Sequence, residues 1–194
     1  IAKTLAKAGA SVAISYQNSE AKAAEVVAEI ESDGGHAIAI QNDQSAVSEA
    51  SSLVDAVVDR FGGLDILINN AAITVQGQRV DDPDLDIQAL DQQWATNVLG
   101  VIATTRSAAR RISDGGRIVF IGSVIASRVA FPGVADYAGT KAAMVGYAKG
   151  VARDLGPRDI TVNIVQPGVM PTDMAAQLAE RNASDESMNL HAIR

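Results

Sequence analysis

Apolar positions along the chain follow two different periods. Short runs of apolar and β-branched residues, such as "SVAISY" and "LDILIN", predict buried strands. Apolar residues that recur every three or four positions predict amphipathic helices. On this basis we predict strands at 11–16, 36–41, 64–69, 116–122 and 160–165, and helices at 1–8, 19–33, 45–61, 90–101 and 135–155.

The regular alternation of these strands and helices predicts the fold class. Strands joined by helices of 10 to 20 residues require crossover connections and therefore a mainly parallel sheet. The strands are apolar along both faces, which predicts a three-layer αβα arrangement with a doubly wound sheet. We expect one domain over 1–194. The chain starts at Ile1 inside a helical pattern and stops at Arg194, so we expect it to be truncated at both ends.

Composition narrows the function classes. The 194 residues carry a formal net charge of −7 and include no cysteine. Disulfides and cysteine metal sites are therefore excluded, and the two histidines, His36 and His191, are far apart, so we expect no metal. A dense basic patch is lacking, which disfavours nucleic acid. No apolar run approaches the roughly 18 residues of a membrane span, and we expect a cytoplasmic protein.

Polar and small residues follow each predicted strand at its carboxyl end. In parallel sheets, ligands bind beyond these ends. Turn chemistry alone also favours such residues, so a single cluster would mean little. Five clusters in succession indicate a nucleotide-like ligand; they are Tyr16-Gln17-Asn18, Asn42-Asp43-Gln44, Asn69-Asn70-Ala71-Ala72, Gly122-Ser123 and Pro167-Gly168.

Candidate proton-transfer chemistry lies in "YAGTK", residues 137–141. Tyr137 and Lys141 are four residues apart and share one helix face. An ammonium group there favours the phenolate, and we expect it to lower the pKa of Tyr137 so that the phenol exchanges a proton with an alcohol oxygen. Ser123 closes a predicted strand 14 residues earlier and can hold that oxygen. A simple turn or helix cap is the alternative for Ser123, and Ser127 is a nearby rival.

Asn97 stands in the middle of a predicted helix, where asparagine is unfavourable. We expect its side chain to bind backbone groups or a water inside a kinked helix. A surface asparagine is the alternative interpretation.

Together these motifs resemble the short-chain dehydrogenase/reductase family, and the resemblance covers nearly the whole chain. "LDILINNAA", "NVLG", "IGSV", "YAGTK" and "PGVMPTDM" are similar to successive family motifs, with Ala72 in place of a glycine. The resemblance implies a Rossmann-type fold and hydride transfer between a nicotinamide and a carbonyl carbon. Tyr137 would exchange the proton, Ser123 would steady the oxygen, Lys141 would hold the ribose, and Asn97 would anchor a relay water.

The resemblance also implies cofactor contacts. Asn70, Ala71 and Ala72 would lie on the adenosine side, with Asp43 at the adenine amino group and Gln44 beside it. Pro167, Gly168, Val169 and Thr172 would line the nicotinamide. The turn at Tyr16, Gln17 and Asn18 contains no acid to bind a ribose 2′-hydroxyl. NADP(H) is therefore favoured over NAD(H), although no arginine is present there to bind a 2′-phosphate.

The family's glycine-rich phosphate loop is expected immediately before Ile1, and with it a strand central to the sheet. We expect the chain alone to be unstable and to bind cofactor poorly. The resemblance implies a small carbonyl or alcohol substrate and a homo-oligomer, a dimer or tetramer, built on helices 91–111 and 135–155. A 3-oxoacyl-carrier-protein reductase-like activity is plausible. The alternatives are a non-catalytic nucleotide-binding module and an isomerase or epimerase with bound NAD.

Overall fold

The computed structural model describes residues 1–168 and 170. Six α-helices and five strands occur in this part of the chain. The helices are α1 (Ala2–Lys7), α2 (Glu20–Ser32), α3 (Ala50–Phe61), α4 (Ile87–Trp94), α5 (Val101–Ala109) and α6 (Ala135–Leu155). The strands are β1 (Ser11–Tyr16), β2 (His36–Gln41), β3 (Leu64–Asn69), β4 (Ile112–Ile121) and β5 (Thr161–Val165). Short 3₁₀ turns lie at Val47–Glu49, Val124–Ala126 and Gly156–Arg158.

All strand pairs are parallel, as predicted. β1 pairs with β2 in register from Ser11 opposite His36 to Tyr16 opposite Gln41. β4 lies between β3 and β5 in a second sheet. The carboxyl ends of paired strands therefore lie at the same edge, and flanking helices connect them. The α/β, Rossmann-like class is confirmed.

A cleft separates the two sheets. In the described part of the chain β1 and β3 form no ladder with each other, and residues of both strands line a space of about 590 Å³ between them. From this cleft the strand order runs outward in both directions, β1 to β2 on one side and β3 to β5 on the other. The outward strand order on each side matches the two halves of a doubly wound sheet.

Gly100 marks a close contact between the two halves. A Cβ added there would lie 1.7 Å from the backbone oxygen of Gln44. The turn after β2 therefore rests directly on the helix that leads into α5, and α3 also packs against α5. Only glycine allows this approach, so Gly100 sets the position of the Asp43–Gln44 turn relative to the second sheet.

The main core lies between the second sheet and the helices α5 and α6. Its buried members are Val98, Val101, Ile112, Ile118, Phe120, Met144, Ala148, Val151 and Ile160. Val162 and Ile164 of β5 pack against this core, whereas the alternating residues Thr161, Asn163 and Val165 are exposed. The expected coverage of both faces therefore does not hold for β5 in the described residues.

Three elements differ from the predictions by more than one residue or in helix type. The helix predicted at 45–61 starts as a 3₁₀ turn and becomes α-helical at Ala50, because Asp43 accepts hydrogen bonds from Ser45 and fixes a turn first. The helix through 90–101 contains a π-helical turn at Ala95–Gly100. β4 begins at Ile112, earlier than predicted, because Ile112 pairs with Leu64 ahead of a register shift.

Candidate active site

Tyr137 and Lys141 lie in the first turns of α6 and share a face of this helix, as predicted. Lys141 is buried, at 6% exposure, and its Nζ lies 5.7 Å from the centre of the Tyr137 ring. The same Nζ donates a hydrogen bond of 3.1 Å to the carbonyl oxygen of Ile121, at the end of β4. This bond ties the helix face that carries both residues to the carboxyl edge of the second sheet.

The electrostatic effect of this pair differs from the prediction. Burial raises the pKa of the Tyr137 phenol above its usual 10.0, and burial lowers the pKa of Lys141 below its usual 10.5. The expectation that Lys141 lowers the pKa of Tyr137 is therefore wrong for the protein without ligand. Desolvation penalises the charged form of both groups, and it outweighs attraction between an ammonium and a phenolate at this distance.

Ser123 ends up beside the start of α6. It follows β4 directly, and its Oγ accepts a weak hydrogen bond of 3.3 Å from the backbone N–H of Ile125. Ile125 packs in a small apolar cluster against Val134 and Ala138, and Tyr137 packs against that cluster. Ser123 therefore also caps the 3₁₀ turn that follows it. This capping role is compatible with a role in the active site. The rival Ser127 is exposed.

Asn97 is 2% exposed and lies in the π-helical turn. Its Oδ1 accepts from the N–H of Ile73 at 2.9 Å, and its Nδ2 donates to the carbonyl of Ile73 at 2.8 Å. The surface alternative is thus excluded, and the predicted binding of backbone groups in an irregular helix is confirmed. Nδ2 also lies 3.3 Å from the hydroxyl of Thr140, which donates to the carbonyl of Tyr137 at 2.8 Å.

The turn after β2 carries an ionised carboxylate. The hydroxyl and backbone N–H of Ser45 both bind Oδ1 of Asp43, and these bonds, with a smaller one from the Gln17 side chain, hold the Asp43 pKa below 3.8. The N–H of Asn42 donates to the carbonyl of Tyr16 at 2.8 Å, so the turns after β1 and β2 lie side by side. Gln17 and Asn18 are exposed there. The structure thus brings together the predicted residues of the first two clusters, with Gln44 held against Gly100.

The remaining predicted cofactor contacts follow β3 and β5. Asn70 and Ala71 are exposed, and Ala72 is half-buried, directly after the buried Asn69. The carbonyl of Pro167 accepts from the N–H of Val124 at 3.0 Å, which brings residues 167 and 168 next to Ser123. Val169 and Thr172 lie outside the described residues.

The residues present fit a dinucleotide at the described edge. The Asp43 carboxylate can accept a hydrogen bond from an adenine amino group. Ala71, Ala72 and Gly168 have side chains small enough to let a flat ligand approach the backbone. These residues follow the ends of strands on both sides of the cleft. Tyr137 and Lys141 lie beside β4 and β5, on the side of the second sheet away from β1 and β2.

Gln93 is a buried polar residue that the sequence pattern did not single out. It has no exposed surface, and its Oε1 accepts a hydrogen bond of 2.6 Å from the N–H of Val75. Its neighbour Trp94 donates from Nε1 to Asp136 at 2.8 Å and packs against Gly139. Gln93 precedes Asn97 by one helical turn, so the sequence could have indicated that both side chains lie on the same face of the helix.

Within residues 1–168 and 170, no three His, Cys, Asp or Glu side chains come together as metal ligands. None of the helices described here is long and apolar enough to cross a membrane.

Comparison with known proteins gives consistent matches. The family model described as short chain dehydrogenase matches residues 1–183. An uncharacterized oxidoreductase of Methylorubrum extorquens is 39% identical over 173 residues, covering 89% of this chain and 68% of the relative. The 3-oxoacyl-[acyl-carrier-protein] reductase FabG of Staphylococcus aureus is 37% identical over 186 residues, covering 93% and 72%. The chain spans 64–72% of the length of eight curated relatives that it matches.

Solved structures agree with this. A short chain dehydrogenase from Burkholderia cenocepacia in complex with NADP is 47% identical, with a TM-score of 0.86, and the match covers 93% of this chain and 75% of that one. A blue fluorescent protein from a metagenomic library in complex with NADPH is 35% identical, with a TM-score of 0.83 and coverage of 88% and 68%.

Proposed function

Because the chain belongs to the short-chain dehydrogenase/reductase family, we propose that it transfers a hydride between NADP(H) and a carbonyl or secondary alcohol substrate. The observation that carries this proposal is the grouping of Tyr137, Lys141 and Ser123 at one edge of the second sheet. Lys141 contacts both the Tyr137 ring and the carbonyl of Ile121, and Ser123 lies two residues beyond Ile121.

Each residue of this group has a role in the proposal. Ser123 donates a hydrogen bond to the carbonyl oxygen of the substrate and steadies the charge that develops there. Tyr137 gives its phenolic proton to the same oxygen during reduction and takes it back during oxidation. The raised pKa keeps this phenol protonated at neutral pH, which suits a proton donor and therefore reduction. NADP(H), when bound, supplies or accepts the hydride.

Lys141 and Asn97 support the proton donor. Lys141 would contact the nicotinamide ribose, from a position fixed by its bond to Ile121. Asn97 would hold a relay water and at the same time fix the segment after β3 through its bonds to Ile73. A positive charge on Lys141 would favour the phenolate during oxidation.

NADP(H) is favoured over NAD(H) on two grounds. The turn after β1 offers the neutral side chains of Tyr16, Gln17 and Asn18 where an acid would repel a 2′-phosphate. Three structural neighbours were solved with NADP or NADPH. Asp43, Gln44, Asn70, Ala71, Ala72, Pro167, Gly168, Val169 and Thr172 complete the proposed cofactor contacts.

The proposed reaction is tested by a matched pair of tyrosine variants in the same helix. Tyr137→Phe removes the phenol from the site, whereas Tyr147→Phe removes a phenol that packs edge-on against Phe120 in the core. The substitutions are made in the full-length protein, called the parent below. With NADPH and a panel of ketones, we expect turnover by Tyr137→Phe to fall by about 10²–10⁴-fold and that of Tyr147→Phe to stay close to the parent.

Equal turnover by the two variants would remove Tyr137 from the mechanism. Binding of NADPH without turnover of any ketone by the parent would instead favour the non-catalytic nucleotide-binding module. A nicotinamide cofactor that copurifies with the protein would favour the isomerase or epimerase.

We also propose a homo-oligomer in which α6 lies at a subunit interface. Ala142, Gly146 and Gly150 recur every fourth residue on its exposed face, and such small side chains allow a second helix to approach closely. Light scattering of the purified protein tests this, and a monomeric mass would overturn it.

A further inference from the structure

Two side-chain amides, one turn apart, bind the segment that follows β3. Gln93 accepts from the N–H of Val75 at 2.6 Å, and Asn97 binds both backbone groups of Ile73 at 2.9 and 2.8 Å. Residues 73 and 75 are two positions apart, and side chains from one helix bind the backbone of both. The helix thus replaces a neighbouring strand and fixes the backbone of 73–75 by side chains alone.

The far end of this segment contacts the loop before Tyr137. The N–H of Gly77 donates to the carbonyl of Gly133 at 2.9 Å, and a Cβ added to Gly133 would lie 3.0 Å from the backbone of Gly77. Val134, the next residue, belongs to the apolar cluster against which Tyr137 packs. Residues 73–77 are therefore held by Gln93 and Asn97 at one end and contact the Tyr137 loop at the other. We call residues 73–77 the crevice wall.

Gln93 holds the crevice wall at a cost in stability. Its Nε2 is buried and has no hydrogen-bond partner in the described part of the chain. A buried donor without a partner destabilises a protein, and an apolar side chain of the same shape would avoid that cost only by leaving the N–H of Val75 without this acceptor. Violations of this kind are expected where function rather than stability decides the residue.

We propose that Gln93 is a positioning residue that fixes the crevice wall and so determines how tightly the carbonyl substrate is held beside Tyr137. This inference rests on the proposed function of Tyr137. Gln93 does not touch the reacting atoms in this proposal. It acts through the N–H of Val75 and, by way of Gly77, on the loop that leads into α6.

The test compares Gln93→Met with Gln92→Met. Methionine has the length of glutamine but no strong acceptor, and Gln92 is the exposed neighbour in the same helix. In Gln93→Met we expect amide hydrogen exchange at Val75 and Gly77 to speed up by roughly tenfold, with Ile73 still protected by Asn97. The ketone KM should rise by a similar, roughly tenfold factor while kcat and the NADPH KM stay nearly constant. Gln92→Met should change none of these quantities.

A merely structural role predicts a different pattern. Gln93→Met would then melt at a lower temperature, its kcat would fall, and its KM values for the ketone and for NADPH would both rise. That pattern, or unchanged exchange at Val75, would overturn the proposal. Should Gln93→Met fail to fold, Gln93→Glu measured at mildly acidic pH supplies the test. Burial keeps the carboxyl group of this glutamic acid neutral, and its carbonyl oxygen can still accept the hydrogen bond from Val75. The ketone KM and the protection of the Val75 amide against hydrogen exchange should therefore match those of the parent.

Exchange is measured without substrate, so it tests whether Gln93 fixes residues 73–77 independently of any activity. A parent protein that reduces no ketone would count against the proposed function, whereas fast exchange at Val75 in the parent would count against the role of Gln93.

Discussion

Lys141 places its ammonium nitrogen 5.7 Å from the centre of the Tyr137 ring and gives its hydrogen bond to the carbonyl of Ile121. No carboxylate pairs with Lys141 among the described residues. Both members of the pair are therefore shifted by burial toward their neutral forms. This relationship has consequences for stability and for the pH dependence of the proposed reaction.

Replacing Lys141 by methionine should stabilise the protein and abolish most of its activity. The folded state binds the Lys141 proton less tightly than the unfolded state, so the stability linked to this group is complete above pH 10.5 and is lost as the pH falls through the lowered pKa. At neutral pH the cost of burying the charge exceeds the single hydrogen bond that is lost. For Lys141→Met we expect the melting temperature to rise by roughly a few degrees and kcat to fall by about 10²-fold or more. Lys149→Met, at an exposed position of the same helix, is the control for differential scanning calorimetry and NADPH oxidation.

The rate of ketone reduction should be insensitive to pH until well into the alkaline range. Reduction needs the protonated phenol, and burial moves the pKa of Tyr137 above 10.0. Oxidation of the alcohol needs the phenolate and should therefore increase with pH over the same range. Initial rates in both directions from pH 6 to about pH 10 test this. A reduction rate that falls near neutrality would show that the pKa of Tyr137 in the working complex is lowered instead.

Ser123→Ala should lower kcat by about 10²–10³-fold, because it removes a donor from the developing oxyanion. Ser127→Ala, four residues further along, is exposed and should have no such effect. Ser123 also accepts a bond from Ile125, so a modest loss of stability is expected in the first variant alone. Equal kinetic effects would show that the assignment of the serine is wrong.

Gly100→Ala should weaken cofactor binding. The new methyl group would lie 1.7 Å from the backbone oxygen of Gln44, so the turn that carries Asp43 must move away from the helix. We expect an increase of about tenfold or more in the NADPH dissociation constant and a loss of about 1–3 kcal/mol in stability. Gly156→Ala is the matched control, since it has helical dihedral angles and nothing within 4 Å, and it should be neutral or slightly stabilising. Fluorescence titration with NADPH measures the first effect and chemical denaturation the second.

The sequence predicts those parts of the fold that local periodicity determines. Helix α6 has the predicted bounds, 135–155, because apolar positions recur at helical spacing between a loop and a glycine. The pairing of Tyr137 with Lys141 follows from the same spacing. Asn97 was recognised because asparagine is unfavourable within a helix, and this position proves to lie in a π-helical turn.

Other features depend on contacts between distant segments and leave no local pattern. A π-helical turn adds one residue to a helix, which a period of 3.6 cannot detect over six residues. Gln93 resembles a solvent-facing residue until the segment around Val75 is placed over it. The direction of the Tyr137 and Lys141 pKa shifts depends on burial, which spacing alone does not reveal.

Helix α6 joins chemistry and scaffold in one rod of 21 residues, about 31 Å long. Its first two turns carry Tyr137 and Lys141, and the following turns carry Met144, Ala148 and Val151 of the main core. Local movement of the Tyr137 side chain away from its position would therefore require a change in a helix that packs against the core along most of its length. Heat inactivation should consequently coincide with the melting of the whole domain, without an earlier stage in which a folded protein has already lost its activity.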